Sequence, residues 1–272
     1  GEAVLVAPPG AGKTTRVPPA LLDEPWAANG KIILLSPRRI AARAAAARMA
    51  SERGERVGET IGYRVRLDSK IGPRTRIEVV TEGVFTRMIL DDPELAGIAA
   101  VLFDEFHERS LEGDLGLALA RDAQGGLRPD LKLVVMSATL DAARVAALLG
   151  DAPVIVSEGR MFPVSHIYRP RLASARLEDE VAAAVRAAMA AERGSALVFL
   201  PGVREIERTA EAVRASLTDP SIDVRPLYGA MSPADQDAAI SPAPPGRRKV
   251  VLATSIAETS LTIDGVRIVV DA

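Results

Sequence analysis

Short, uninterrupted aliphatic runs recur along this chain, separated by stretches of helix length, and that rhythm constrains the fold more than any other feature. Runs such as Val101-Leu102-Phe103 and Leu133-Val134-Val135-Met136 lack the alternation of a strand with one wet face. They read as strands buried on both sides, the signature of a mostly parallel sheet covered by helices. Strands are predicted at Ala3–Ala7, Lys31–Ser36, Arg76–Thr81, Ala99–Phe103 and Lys132–Met136. Helices are predicted near Thr14–Leu22, Ile40–Arg53, Gly83–Leu90, Leu111–Arg121 and Ala142–Leu149, with Trp26 near the end of the first as a packing residue.

Pro153, Gly159, Pro163 and Pro170 break the rhythm, which places a boundary near Gly159 and predicts two domains, 1–159 and 160–272. Alternation then resumes: a helix at Leu177–Glu192, a strand at Ala196–Leu200, a helix from Val203, and strands at Val224–Tyr228, Arg248–Thr254 and Val266–Val270. Ser241–Arg248 reads as a turn-rich surface loop. The fold class is therefore α/β, in two tandem domains. The last strand has no helix after it, so the second domain is expected to be incomplete at its C-terminus.

Composition excludes several classes. With 48% hydrophobic and 26% charged residues the chain is neither disordered nor fibrous. No apolar run approaches a membrane span, there is no cysteine for a disulfide or thiolate site, and the first residues lack signal-peptide regions. A cytoplasmic protein is expected. The net charge of −2 supplies no overall basic field, although a local basic channel is compatible with it. Only 5 Lys stand beside 29 Arg, so a single Lys carries more information than a single Arg.

Lys13 is one of those five. The segment Ala7–Thr15, APPGAGKTT, joins an apolar strand to a glycine-rich loop and a Lys-Thr that opens a helix. Gly10, Ala11 and Gly12 would turn backbone N–H groups toward phosphates, Lys13 would reach the β and γ oxygens from an exposed loop, Thr14 would ligate magnesium, and Thr15 closes the motif. Ala7 stands where the strict pattern has its first glycine, at the strand end where a small residue serves. Asp104 and Glu105 follow the strand Ala99–Phe103, the place for a second carboxylate pair in a nucleoside triphosphatase. Asp104 would hold magnesium, mostly through water, with Glu105 also counted among the metal-site residues, and Glu105 would orient and deprotonate the attacking water. The other histidine, His166, reads as a linker surface residue, and no further cluster has metal-ligand spacing.

With DEFH at Asp104–His107 and SAT at Ser137–Thr139, the chain resembles the DEAH group of superfamily-two helicases, in its opening most closely the bacterial HrpB-type branch. SPRRIAARAAAARMA at Ser36–Ala50, GYRVRLDS at Gly62–Ser69, TEGVFTRMI at Thr81–Ile89, LVFLPGVREI at Leu197–Ile206, PLYGAMSP at Pro226–Pro233 and ATSIAETSLTIDG at Ala253–Gly265 follow in the family's order. The resemblance implies two RecA-like P-loop domains that close on ATP and magnesium and step along single-stranded RNA, with DNA as the alternative track and remodelling of a ribonucleoprotein without processive unwinding as the alternative task. It implies that His107 couples the nucleotide site to Ser137 and Thr139. It also implies that Arg39, Thr81, Gly83, Gly202 and Thr254 touch the sugar-phosphate backbone, a mode that reads no bases. Arg48 would cover one face of the base, and Ser260, Thr262 and Asp264 would approach ribose and γ-phosphate.

Four departures accompany the resemblance. Phe106 replaces the usual Ala, with its side chain expected away from the phosphates; Ser255 replaces an Asn; and Ile240 stands where the family has a stacking aromatic. The family's arginine-rich segment would fall beyond Ala272, so weak turnover is expected of these 272 residues, which in the limit would act only as a nucleotide-binding module.

Overall fold

The computed structural model describes residues 1–139, 142–159, 163–170, 174–257 and 261–272, with the side chain of Ile256 left aside. The chain forms two compact units, Gly1–Phe162 and Pro163–Ala272.

In the first unit the elements run β1 (Glu2–Val6), α1 (Lys13–Leu21), β2 (Lys31–Ser36), α2 (Arg39–Glu52), β3 (Ile61–Val65), β4 (Asp68–Lys70), β5 (Ile77–Thr81), α3 (Glu82–Asp91), β6 (Ile98–Phe103), α4 (Leu111–Gly126), β7 (Lys132–Ser137), α5 (Ala142–Leu148) and β8 (Val154–Val156). The eight strands are ordered β4-β3-β5-β2-β6-β7-β1-β8. All neighbours are parallel except β3 and β4.

Strand β2 shows why its sequence is apolar throughout. Ile33 and Leu35 join Val101, Phe103 and Phe85 in a core under α3, α4 and α5, whereas Ile32 and Leu34 join Ala42, Ala46 and Met49 in a core under α2. Successive side chains of a strand point to opposite faces, so a strand covered on both faces must be apolar at every position. Each large side chain so buried contributes about 1.5–3 kcal/mol. Helix α4 approaches α3 closely because residue 116 is Gly: a β-carbon there would lie 3.2 Å from the Phe85 ring.

Three strands depart from the sequence expectation. β3 carries Gly62 and Arg64, and β4 is only three residues long, so neither shows an aliphatic run. β8 is an exposed edge strand inside the stretch read as an interruption. Trp26 belongs to a separate 3₁₀ turn, Pro25–Ala27, rather than to the first helix, and packs half-buried against the α2 core.

The second unit comprises α6 (Leu177–Ala191), β9 (Ser195–Phe199), α7 (Val203–Ser216), β10 (Ile222–Leu227), α8 (Pro233–Ile240), β11 (Arg248–Ala253) and β12 (Val266–Asp271). Its sheet is parallel, in the order β10-β11-β9-β12. Val181, Val185 and Met189 of α6 and Ile206, Ala210 and Val213 of α7 supply the helical side of its core. Helix α8 was not predicted. It is short, and Ser232 starts it by accepting from the Asp235 N–H. Among the described residues no helix is long and apolar enough to cross a membrane.

Candidate functional site

In the first unit, β5, β2, β6, β7 and β1 lie side by side and parallel, so the segments that follow them emerge together along one edge of the sheet. In open α/β sheets this carboxyl edge is where ligands bind. The motifs read from the sequence fall there in turn: 8–12 after β1, Arg38 and Arg39 after β2, Thr81 to Gly83 at the end of β5, Asp104 and Glu105 after β6, and Ser137 to Thr139 at the end of β7.

The glycine loop leaves β1 alongside the end of β7, where the Ala7 N–H donates to the Ser137 carbonyl at 3.1 Å. Gly10 and Gly12 hold φ of 78° and 87°, a region that residues with a β-carbon rarely adopt. The Gly12 carbonyl accepts from the Thr15 and Arg16 N–H groups and so begins α1. Pro9, Gly10 and Ala11 are exposed and Thr15 is half-buried. The free N–H groups of the first turn of α1 favour an anion.

Lys13 departs from the expectation of an exposed loop residue. It is buried, and its Nζ lies 3.2 Å from Glu105 Oε1. The Thr14 hydroxyl donates to Asp104 Oδ2 at 2.5 Å, and Asp104 Oδ1 accepts from the Glu105 N–H at 3.0 Å. Burial, reinforced by the Glu105 charge, pushes the Asp104 carboxyl up to about 6; the Thr14 hydrogen bond and the Lys13 charge oppose that shift. A dication bound to this carboxylate would relieve the same cost. Magnesium takes oxygen ligands, commonly one or two carboxylates with water and phosphate making up the rest. A hydroxyl and a buried carboxylate in contact, beside a loop able to receive phosphate, fit that requirement.

Glu105 itself holds φ 50°, a left-handed conformation for a residue with a side chain. Such positions cost of order 1 kcal/mol and persist where the surroundings impose them. Here the kink sets the carboxylate between Lys13 and His107, whose Nε2 lies 3.4 Å from Glu105 Oε2. His107 Nδ1 accepts from the Ala138 N–H at 3.2 Å, so a neutral ring carries its proton on Nε2, facing Glu105. Beyond it the Thr139 N–H donates to Ser137 Oγ at 3.2 Å. One chain of contacts therefore runs from Lys13 through Glu105 and His107 to the 137–139 turn. Phe106 points the other way, into the core, edge-on to Phe103 at 6.4 Å and with the Arg109 guanidinium 5.6 Å from its ring centre.

The remaining sequence candidates lie apart from this cluster. Arg39 and Gly83 are exposed and Thr81 is half-buried at the ends of β2 and β5, which pair with each other. Arg48 lies on α2, paired with Glu52 at 2.6 Å. In the second unit Gly202 and Thr254 follow β9 and β11, again adjacent parallel strands. Thr262 is exposed, Asp264 half-buried, and Ile240 half-buried at the end of α8. Ser260 lies outside the described residues. His166 is exposed and stacks on Tyr168.

Comparison with known proteins bears on this arrangement directly. Residues 1–148, more than half of the chain, match the DEAD/DEAH box helicase family, and residues 177–272 match the helicase conserved C-terminal domain. The chain belongs to the DEAD/DEAH box helicases. Within that family it is 57% identical over 270 residues to the ATP-dependent RNA helicase HrpB of Escherichia coli, covering 99% of this chain and 33% of the relative. A probable ATP-dependent RNA helicase of Saccharomyces cerevisiae, DHR2, is 37% identical over 282 residues, covering 99% and 38%. The crystal structure of the E. coli DEAH/RHA helicase HrpB superposes with a TM-score of 0.88 at 56% identity, over 99% of this chain and 34% of that one. The fold is thus that of two RecA-like helicase domains, and the chain spans about a third of the length of these relatives.

Sequence reasoning gave no role to Arg38 and Glu82, although both lie within the segments Ser36–Ala50 and Thr81–Ile89, and missed Glu108 and Ser110; all four border the site. Of the two missed, Ser110 left a local signal, a Ser just ahead of an apolar helical pattern with acidic residues in its first turn.

Proposed function

We propose that this chain is the motor core of an ATP-dependent RNA helicase, binding ATP with magnesium in its first unit and tracking single-stranded RNA through contacts to sugar and phosphate. The observation that carries the reading is the meeting of Lys13, Thr14, Asp104 and Glu105 on one sheet edge that also presents Arg39, Thr81 and Gly83.

In this reading the loop Gly10 to Thr15 and the Lys13 ammonium receive the phosphates, with Lys13 leaving Glu105 to do so. Thr14 and Asp104 hold magnesium, which when bound neutralises phosphate charge. Glu105, released from Lys13, orients the attacking water and takes its proton; phosphoryl transfer depends on such positioning and charge neutralisation. His107 keeps Glu105 aimed and reports its position to Ser137 and Thr139 through the Ala138 N–H. Arg48, Ser260, Thr262 and Asp264 complete the nucleotide contacts, while Gly202 and Thr254 continue the RNA track on the second unit. The 1–159 and 160–272 division assigns one RecA-like domain to each part.

ATP turnover in the presence of single-stranded RNA, single-stranded DNA or neither tests the proposal. Stimulation by RNA above DNA supports it. Equal stimulation would make DNA an equal track, and nucleotide binding with no turnover would reduce the chain to a binding module.

A further inference from the structure

Four residues of the turn after Asp104 each touch a different strand-end segment. Glu105 meets Lys13 of the phosphate loop, and His107 meets Ala138 of the 137–139 turn. Glu108 Oε2 lies 3.7 Å from the guanidinium of Arg38, next to Arg39. The Ser110 hydroxyl donates to Glu82 Oε2 at 2.6 Å, between Thr81 and Gly83.

That last contact is built with care on both sides. Ser110 Oγ also accepts from the Gly113 N–H at 2.8 Å and so starts α4. A β-carbon at residue 113 would stand 2.7 Å from Glu82 Oε1, and one at residue 83 would stand 3.1 Å from Glu112 Oε2. Each helix therefore presents a glycine to the other's carboxylate, and the two N-termini interlock. Burial holds the Glu82 carboxyl above the usual range, against the Ser110 hydrogen bond, and the Glu112, Glu108 and Asp114 charges add to the shift. The carboxylate lies at the positive end of the sixteen-residue α4 and receives a short charge-assisted bond.

The turn itself has a constrained backbone. Its 3₁₀ segment, Phe106–Glu108, lies between Glu105 and Arg109, both at positive φ, and its first residue, Phe106, packs against the core. Within it the Glu108 N–H donates to the Glu105 carbonyl and the Arg109 N–H to the Phe106 carbonyl, which ties Glu105 to the start of α4 through a short bonded segment.

We propose that the Ser110–Glu82 hydrogen bond carries nucleotide state from the Glu105 turn to the RNA-contacting residues Thr81 and Gly83, which makes Ser110 a positioning residue for nucleic-acid binding. The inference rests on the helicase reading above. It assigns to α3 and α4 a connection separate from the one His107 makes to Ser137 and Thr139. A ligand shifts a second site only by favouring one arrangement of what joins them, and the joint here is one hydroxyl and one carboxylate.

The test measures coupling rather than activity. Affinity of the chain for a labelled oligouridylate is determined by fluorescence anisotropy with saturating magnesium–ADP and with a magnesium complex of a non-hydrolysable ATP analogue; the ratio of the two affinities is the coupling. Ser110→Ala and Glu82→Ala should each bring that ratio at least threefold closer to one, the double variant no further, and Ser110→Thr should keep the parental ratio. Nucleotide affinity by calorimetry should stay within twofold throughout. Glu82→Ala leaves the start of α4 capped by Ser110, so its loss of coupling is not a loss of the cap. An unchanged ratio in both single variants, losses that multiply in the double, or a parental ratio of one would overturn the link while leaving the helicase reading standing. A parent that binds neither nucleotide nor RNA would overturn both.

Discussion

Lys13 and Glu105 neutralise one another in a pair 3.2 Å long whose side chains are 4% and 10% exposed. In the proposed reading the lysine receives phosphate and the carboxylate activates water, so the two groups assigned to nucleotide are each other's partner. Removing one member of a buried pair strands the other's charge. Lys13→Ala is therefore expected to lower folding stability by roughly 1–3 kcal/mol, below the ~3–5 kcal/mol of a fully sealed pair, because His107 remains beside Glu105. Adding Glu105→Gln should restore most of that loss. Urea denaturation of the two variants checks this, and equal stability of Lys13→Ala and the parent would contradict it.

Asp104 gives a dependence on pH. Its carboxyl is raised from 3.8 to about 6 in the folded chain, so between those values the folded state binds more protons than the unfolded one. Its contribution to stability therefore falls as pH rises through that window, and the whole penalty stands above pH ~6. At about 1.4 kcal/mol per pH unit this amounts to a penalty of at most ~3 kcal/mol. Asp104→Asn should make the protein without nucleotide more stable at pH 7.5, by a melting point several degrees higher, and should flatten this part of the pH profile. Thermal melts from pH 4 to 8 measure it; a variant less stable than the parent at pH 7.5 would show that burial is not what dominates at Asp104.

Phe106 is a core contact at the back of the Asp104–Glu105 turn, edge-on to Phe103 and beneath Arg109. Phe106→Ala should cost ~2–3 kcal/mol of stability, less than a fully buried Phe because the ring is only half-buried. Nucleotide affinity should change by no more than a few-fold, since the ring points away from Lys13 and Thr14. Guanidinium denaturation and calorimetry separate the two effects; a large affinity loss without destabilisation would place the ring in the site.

RNA affinity is expected to fall log-linearly with salt and to differ little among homopolymers, because the contacts proposed for Arg39, Thr81, Gly83, Gly202 and Thr254 are to backbone rather than to base edges. Titrations of several homopolymers at a series of salt concentrations read this out. A strong base preference with a flat salt slope would point to base-edge recognition instead.

The phosphate loop and the acidic turn were legible because each is a local pattern: a strand that must be apolar, then residues whose chemistry demands their order. The two-face burial of β2, β6 and β7 was legible for the same reason. Strands β3, β4 and β8 were not, since Gly62 and Arg64 break the apolar run, three residues are too few to show a period, and an edge strand is not forced to be buried. The inward turn of Lys13 depends on Glu105, ninety-two positions away, and on a left-handed backbone that no residue type at 105 announces. The Ser110–Glu82 bond joins residues twenty-eight positions apart and exists only once α3 and α4 pack. What the sequence conceals, in short, is which charged groups face one another before a ligand arrives.

The measurement closest to the central claim is a calorimetric titration of magnesium–ADP and of a magnesium complex of a non-hydrolysable ATP analogue into the parent, Lys13→Ala and Asp104→Asn, each repeated without magnesium. The expected result is one site per chain whose affinity drops at least tenfold in Lys13→Ala, and whose dependence on magnesium is lost in Asp104→Asn. Parental affinity in Lys13→Ala together with an unchanged magnesium dependence in Asp104→Asn would contradict the assignment of this sheet edge as the nucleotide site.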